Sequence, residues 1–344
     1  MPKDNETMPR PPDGPVRGSE LKGFTADQMI RCDECLRTNP PTRVSCLYCN
    51  AALPLNDASA KLRRPSLRQP GKHETGFNCI FVPQKGLKIS RDQFEDVAQF
   101  LKLSSTDVQG LVETNTPMPL ARTASAEEAQ LVLGRLREIG IETVCLSDEE
   151  LGLQPQNLMR PRSLQIEDEA LVLNYSAGTN AVYVPWSDLF LIVFGRLLMS
   201  TVETKERMTR GSENDLIDTS QFTSDEAVLD LYSIAEPFTW RIGANSFDFS
   251  CLGHQKTLIA GNNLNVLRQL LIAKANSLKI DDSFNDLKRS LQPVWPSEQQ
   301  MQSGGWRRER PGKFSLGATT LNSNETQFSR YSRLRWYFLR NGMS

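Results

Sequence analysis

The sequence predicts a multidomain α+β protein, and three observations lead to this expectation. Four of the seven cysteines lie together near the start of the chain, a following stretch shows alternating strand and helix patterns, and the second half is rich in β-branched and aromatic strand segments. A chain of 344 residues exceeds the size that a single hydrophobic core usually serves. We therefore expect a small metal-binding module, a compact α+β domain and a mainly antiparallel β barrel closed by a helix.

Composition narrows the class of protein before any motif is considered. Lys and Arg number 40 and Asp and Glu 41, so overall charge does not indicate a nucleic-acid coat or a membrane-surface protein. Residues 1–26 mix prolines with charges of both signs and lack the apolar core of a signal peptide, which predicts a disordered N-terminus. The most apolar stretch, 189–199, contains Arg196 and is shorter than the about 20 residues of a membrane span. We expect a cytoplasmic protein without a membrane span.

The sharpest chemical signal is the stretch RCDECLRTNPPTRVSCLYCN, residues 31–50. Two CxxC pairs separated by ten residues allow two short turns to present four thiolates to one tetrahedral ion. Four protein ligands leave no open position, so one structural Zn²⁺ is predicted in a module over residues 27–55. Asn50 follows the second pair, where a residue that tolerates positive φ is wanted. The predicted ligands are Cys32, Cys35, Cys46 and Cys49.

This stretch resembles short bacterial zinc ribbons and also the Ran-binding-protein type of zinc finger. The pattern Cys32-x2-Cys35-x3-Asn39-x6-Cys46-x2-Cys49 fits the spacing of the latter. Those fingers usually carry Trp two residues before the first Cys, and here that place is Ile30. The resemblance therefore implies a plain zinc-binding fold rather than single-stranded RNA stacking or ubiquitin recognition.

Residues 56–75 form a basic linker between this module and the next apolar run. Five cations face two carboxylates there, and a solvated tether is favoured over contact with phosphate backbones. The cations are Lys61, Arg63, Arg64, Arg68 and Lys72.

Residues 76–150 show the order strand, helix, helix, extended piece, helix, strand. FNCIFV reads as a buried strand, and Phe94, Val97, Ala98 and Leu101 share one helical face in the segment that follows. The last helix begins at a capping box, Ser125-x-x-Glu128, and ends at a glycine, Gly140. This pattern predicts a compact α+β domain.

The same segment resembles the C-terminal domain of the ribosomal large-subunit stalk protein, to which the Clp-protease adaptor is similar in fold. The matching pieces are FNCIF, LVETNTP and ASAEEAQLVLGRLREIGIETVCL. The stalk protein's Gly- and Lys-rich turn, which receives translation factors, is replaced here by LKLSSTDVQ. The resemblance thus implies the fold and a small docking domain, without binding of translation factors.

After a second linker at 151–163, residues 164–292 are predicted to form an antiparallel β domain. A polar run at about 204–225 is expected to be a long mobile loop. The helix that follows the strands places a buried stripe along Leu264, Leu267, Leu271 and Ala275. Strands followed by one amphipathic helix resemble a pleckstrin-homology-like barrel.

Catalysis is not predicted. The chain has two histidines, and only His254 lies near a candidate nucleophile, Cys251. Cys251 alternates with Phe247 and Phe249 in a predicted strand, which favours a packed thiol over an activated one. No glycine-rich phosphate loop or HExxH motif occurs.

Residues 293–344 form a basic and aromatic tail in the sequence. From Met301 onward, eight cations face two carboxylates, and seven aromatic residues lie among them. Such a mixture suits nucleic acid, but packing against the protein's own domains or docking on a partner protein is favoured, because phosphate binders usually concentrate charge on a folded face. The cations are Arg307, Arg308, Arg310, Lys313, Arg330, Arg333, Arg335 and Arg340.

Three hypotheses of function follow. The favoured one is a non-enzymatic, zinc-binding bacterial adaptor or scaffold whose domains contact an unidentified protein partner. The alternative is a nucleic-acid or ribosome-associated protein that uses the zinc module, the linker and the tail. An enzyme that depends on Cys251 is the third.

Overall fold

The protein is described from a computed structural model. It describes residues 24–54, 63, 65–70, 74–84, 86–87, 89–175, 181–208, 215–275, 277–310 and 313–343, without the side chains of 205–208, 215–218, 303–310 and 313–317. The chain divides into two compact units, residues 1–64 and 65–344. The predicted disordered N-terminus lies, except for residues 24–26, outside the described residues, as does most of the predicted linker 56–75.

The first unit is built on two short strands, β1 (Ile30–Arg31) and β2 (Thr38–Asn39), which pair antiparallel. A single 3-10 turn, Ala26–Gln28, precedes them. The buried apolar residues of the described part are few, which is the expected situation for a module that a metal holds together. They are Ile30, Cys32, Cys46 and Leu53.

The second unit begins with the predicted order of strands and helices. Each of the three helices starts at a serine whose side chain accepts a backbone N–H of the first turn, at Ser90, Ser104 and Ser125. The strands form one antiparallel sheet in the order β4-β3-β5. The elements are β3 (Phe77–Phe81), α1 (Arg91–Leu101), α2 (Ser105–Glu113), β4 (Met118–Thr123), α3 (Ala126–Glu138) and β5 (Thr143–Ser147).

The capping box predicted at Ser125 is only half present. The Ser125 hydroxyl accepts the Glu128 N–H at 3.2 Å, but the Glu128 carboxylate accepts the backbone N–H of Leu67 at 2.8 Å instead of that of Ser125. The carboxylate thereby joins the start of this unit to α3. Gly140 follows the helix at φ 88°, as its position after the apolar stripe predicts.

The rest of the unit contains two further sheets. A three-stranded antiparallel sheet has the order β7-β8-β9, and a larger sheet, which curls into a half-barrel, has the order β14-β15-β10-β11-β12-β6 with β13 parallel to β10. The strands are β6 (Leu158–Met159), β7 (Ser163–Ile166), β8 (Ala170–Asn174), β9 (Val182–Pro185), β10 (Leu189–Met208), β11 (Asp215–Ser233), β12 (Thr239–Gly243), β13 (Lys279–Asp281), β14 (Glu298–Arg310) and β15 (Lys313–Ser323). The helices are α4 (Ala260–Lys274), α5 (Phe284–Leu291) and α6 (Glu325–Arg340).

The mixed α+β class is confirmed, and a core on each face of the large sheet explains why residues 65–344 form one unit. On one face, Val193 of β10 and Tyr232 of β11 are buried together with the α+β segment and α6. On the other face, Ile192 and Leu231 of the same strands are buried with β7, β8 and α4. Alternate residues of a strand face opposite sides, so two strands serve both cores. The stripe predicted on α4, Leu264, Leu267, Leu271 and Ala275, is buried.

The structure differs from the sequence-based division in three places. The boundary between the two compact units follows Arg64. Residues 151–163, predicted to be a linker, lie within the second unit. Residues 204–208 and 215–225 belong to the paired strands β10 and β11 rather than to a loop, because their ladder extends that of the buried part, with one register shift between Lys205 and Glu206. Residues 209–214 lie outside the described residues. Phe249–Gln255 is a 3-10 helix and not a strand, because the Asp248 carboxylate accepts the Ser250 N–H and turns the chain.

The basic and aromatic tail is folded into the second unit. Its end is helix α6, and the aromatic side chains of Phe328, Tyr331, Trp336 and Phe338 are buried in the core beside the large sheet. The Asp281 carboxylate accepts a hydrogen bond from the Tyr331 hydroxyl and pairs with Arg335. Within the part of the chain that is described, no helix combines the length and apolar character needed to cross a bilayer.

Candidate metal centre

Two knuckles with the same backbone geometry carry the four predicted ligands. In the first, Cys32 N–H donates to the Arg37 carbonyl and Leu36 N–H to the Cys32 carbonyl. In the second, Cys46 N–H donates to the Ala51 carbonyl and Asn50 N–H to the Cys46 carbonyl. Each turn needs a left-handed residue at its fifth position. Asn50 has φ 60°, as predicted, and Leu36 has φ 59°, which the sequence did not indicate.

The knuckles bring the four thiols together. Each cysteine's Sγ lies within 4.8 Å of the other three, close enough to ligate one metal ion. The shortest separations join the two knuckles, at 3.6 Å between Cys32 and Cys49 and 3.5 Å between Cys35 and Cys46. All four cysteines are free, so no disulfide competes for the sulfur atoms.

Asn39 supports this cluster from behind. It is fully buried, its Oδ1 accepts the Leu47 N–H at 2.8 Å, and its Nδ2 donates to the Arg37 carbonyl at 3.0 Å. The same Nδ2 lies 3.4 Å from the Cys46 sulfur. One side chain therefore joins the two knuckles and donates toward a ligand, which is a role that outer groups of metal sites commonly have. Asn39 was part of the predicted cysteine pattern, but this role did not follow from the sequence.

The ligands differ in acidity. Burial opposes ionisation of Cys46, but N–H groups of Cys49, Tyr48 and Asn39 donate to its sulfur and lower the pKa of the thiol to about 6. For Cys49, a backbone N–H at Ala51 favours the thiolate, but burial and the three neighbouring sulfurs outweigh it and raise the pKa to about 12. A divalent ion among the four thiols favours the thiolate at every position.

The knuckles also expose large side chains. Leu36, Leu47 and Tyr48 are 57%, 53% and 56% exposed, and the Arg37 guanidinium lies 4.7 Å from the centre of the Tyr48 ring. This cation-π contact joins the first knuckle to the second. We call Leu36, Arg37, Leu47 and Tyr48 the knuckle patch.

The second candidate site, Cys251 with His254, does not form a dyad. Both residues lie in the 3-10 helix Phe249–Gln255, and no hydrogen bond joins their side chains, each of which is described. Burial raises the pKa of the half-buried Cys251 thiol, and the charge of Asp248 raises it further.

Some of the predicted basic residues are buried or form an ion pair within the chain. Arg63 is buried and donates to the carbonyls of Leu53 and Pro54, and Arg68 pairs with Glu74. Arg333 is buried in the second unit. The tail cations at positions 307, 308, 310 and 313 lie where side chains are not described, and the linker cations at 61, 64 and 72 lie outside the described residues altogether.

Comparison with known proteins adds no relative. No family model matches the chain, and neither a curated protein nor a solved structure is significantly similar to it.

Proposed function

We propose that this protein is a non-enzymatic adaptor that binds one structural Zn²⁺ and uses the knuckle patch to dock on a partner protein. The observation that carries the proposal is Leu36. It adopts a left-handed backbone conformation at φ 59° while its side chain is 57% exposed. This conformation costs an L-residue about 1 kcal/mol relative to glycine, and an exposed side chain recovers little of that cost by packing within its own chain. A partner surface would supply the missing contact.

The choice of zinc rests on the donor set. Tetrahedral zinc with Zn–S distances of about 2.3 Å needs sulfur atoms about 3.8 Å apart. The cross-knuckle distances of 3.5 and 3.6 Å and the outer limit of 4.8 Å bracket that value. Four cysteine ligands fill the coordination sphere, so the ion would hold the fold and would not activate water.

The residue types in the knuckle patch favour a protein partner. Two leucines, an arginine and a tyrosine form an apolar surface with a charged component, and Tyr and Arg are the residues that most often dominate binding energy at protein interfaces. We expect the contact to be weak or transient, because a module of this size can bury only a small surface area at an interface.

Charge argues against nucleic acid as the main partner of the first unit. In residues 24–54, three arginines are balanced by three carboxylates. A Zn²⁺ with four thiolates adds net negative charge, whereas phosphate binding relies on an excess of cations. In the tail, Arg333 and Arg335 are directed into the protein. Nucleic-acid binding remains the alternative function, through cations whose side chains are not described.

A Cys251-dependent enzyme is the weaker third hypothesis. An activated thiol needs a lowered pKa and an oriented base, and here burial raises the pKa of Cys251 while His254 is exposed and makes no bond to it.

The test is affinity capture from cell extract with the full, zinc-loaded chain, compared with the double variant Leu47→Ser, Tyr48→Ser. We expect nuclease-resistant capture of the same partner by the unaltered chain and at least a tenfold loss for the variant, because buried aromatic anchors contribute on the order of 2 kcal/mol each. Both proteins should contain one zinc per chain, since neither side chain is a ligand.

Glu34→Gln is the matched control. Glu34 is an exposed residue between the cysteines of the first knuckle, as Leu47 and Tyr48 are in the second, but it lies outside the knuckle patch. The Glu34→Gln variant should capture as much of the partner as the unaltered chain does. Loss of the captured partner on nuclease treatment would favour the nucleic-acid alternative, and equal capture by the double variant would remove the knuckle patch from the proposal.

A further inference from the structure

A small cavity inside the second unit is lined by more cationic than anionic groups. It has a volume of about 80 Å³ and lies where the loop Gly152–Leu158, the strands β11 and β12, and helix α6 meet. Asp230 is its lining carboxylate, and Arg241 and Arg333 are its lining guanidinium groups. Both oxygens of Asp230 accept from Arg241, at 2.7 and 2.8 Å, so that pair is neutralised and Arg333 supplies a surplus positive charge.

Arg333 has no hydrogen-bond acceptor although it is 3% exposed. Its Nη1 and Nη2 are both buried without a partner. The faces of its guanidinium group are used, since Cζ lies 5.7 Å from the Tyr232 ring centre and 5.4 Å from that of Trp336. The in-plane N–H groups remain available, because cation-π contacts occupy the face and hydrogen bonds leave along the edge.

The backbone is fitted to this guanidinium group. Gly152 has φ 68°, and a Cβ atom there would lie 3.2 Å from Arg333 Cζ. A side chain at position 152 would therefore press on the guanidinium group. On another wall of the cavity, the Thr239 hydroxyl is buried near the Tyr232 hydroxyl without reaching full hydrogen-bond geometry. Two donor groups from different elements thus line one small cavity, and burial without a full hydrogen bond is unfavourable, most of all for a charged group.

We propose that this cavity binds a small tetrahedral oxyanion of the phosphate class, held by the edge of Arg333 and the hydroxyl of Thr239. A phosphate oxygen pair fits the planar donor fork of an arginine, and the remaining oxygens can accept from a donor in another direction. A planar carboxylate has two oxygens, both of which the arginine fork would use. The volume suits one such group rather than a whole cofactor.

A larger open cleft gives a route to the cavity. It shares Leu153, Gln154, Pro155, Leu158 and Ser329 with the cavity wall. The cleft is lined by five carboxylates and two arginines, so its own charge disfavours an anion and the selection of phosphate rests on Arg333 inside the cavity. The bound group is therefore either free inorganic phosphate or the terminal phosphate of a molecule that extends into the cleft.

The test is thermal unfolding and calorimetry of the full chain at constant ionic strength, with inorganic phosphate, glycerol phosphate and acetate as probes. We expect saturable, one-to-one stabilisation by phosphate, because a ligand that binds only the folded state raises the midpoint of unfolding with concentration. Stronger binding of glycerol phosphate would identify a terminal phosphate as the source, and stronger binding of inorganic phosphate would identify the free ion. Equal stabilisation by acetate would overturn the choice of a tetrahedral ion.

Four variants separate this site from a general salt effect. Arg333→Met should reduce phosphate affinity at least tenfold, and Thr239→Val should reduce it several-fold with the charge unchanged. Arg91→Met, at an exposed arginine of α1, should bind phosphate as the unaltered chain does. Should Arg333→Met fail to fold, Thr239→Val and Arg333→Lys decide the matter. Unsaturable stabilisation, equal in all variants, would show that the cavity holds only water and would overturn the proposal.

Discussion

At the scale of single residues, Asn39 is the buried side chain that links the two knuckles of the cysteine cluster. Its amide satisfies the Leu47 N–H and the Arg37 carbonyl and donates toward the Cys46 sulfur. Each knuckle is closed by its own backbone hydrogen bonds, and the Asn39 amide adds hydrogen bonds that link the two. Removal of this amide would leave buried polar groups unpaired and one sulfur with a donor fewer.

We predict that Asn39→Ala lowers zinc affinity by about 10- to 100-fold, in the range found for outer groups of metal sites. Asn39→Asp should lower it further, because a carboxylate oxygen would replace the N–H donor beside a thiolate. The measurement is competition with a chromogenic chelator. Asn50→Gly is the control: position 50 needs φ 60°, which glycine adopts without strain, so affinity should be retained. Unchanged affinity in both Asn39 variants would contradict this role.

At the scale of elements, the close approach of β10 to α6 explains how the tail is held. Gly195 of β10 lies against the buried ring of Phe328, and a Cβ atom at position 195 would come within 2.4 Å of that ring. Phe328 in turn packs edge-on against Phe284 of α5 at 4.9 Å and under the Arg241 guanidinium at 4.8 Å. Because Gly195 has no side chain, the Phe328 ring of α6 can pack directly against strand β10.

Gly195→Ala should therefore destabilise the second unit, although alanine normally suits a strand interior better than glycine. We expect a loss of about 1–3 kcal/mol, because the ring has to move within a filled core. Chemical denaturation measures the change. Gly134→Ala provides a control of opposite sign: Gly134 lies on α3, where a Cβ atom meets nothing within 4 Å, and it should gain up to about 1 kcal/mol. An unchanged free energy of unfolding for Gly195→Ala would show that the contact between position 195 and Phe328 is not tight.

At the scale of the whole molecule, the two units differ in what stabilises them. The described part of the first unit buries four apolar residues and has the thiol cluster at its centre. The second unit has two extensive cores on the faces of one sheet and a buried Arg241–Asp230 ion pair between β11 and β12. Loss of metal should consequently affect one unit and leave the other folded.

Cys46→Ser, or removal of metal by a strong chelator, should unfold the first unit alone. A structural zinc contributes on the order of 10 kcal/mol or more, which four buried residues cannot replace. Limited proteolysis followed by mass analysis should show cleavage within residues 24–54, with the melting of residues 65–344 unchanged. Cys251→Ser, at a half-buried thiol remote in sequence, should retain one zinc per chain. A folded first unit with four free thiols and no metal would contradict the prediction.

The chain by itself determined the local chemistry. Spacing placed the four cysteines in one cluster, the Ser125 cap placed the start of α3, and apolar periodicity placed the buried stripe of α4. These features depend on residues a few positions apart, where turn geometry and helical repeat leave few alternatives.

Only the tertiary structure decided where the polar runs and the tail belong. Residues 204–208 pair with β15, more than a hundred residues later in the chain, and 215–225 pair with β10. Arg333 and Arg335 of α6, which suggested a phosphate-binding tail, lie against Tyr232 and Asp281 from distant strands. The cavity at Arg333 likewise draws its walls from three separate stretches of chain. Partners so far apart in sequence are chosen by packing and charge in the folded state, and no local pattern encodes that choice.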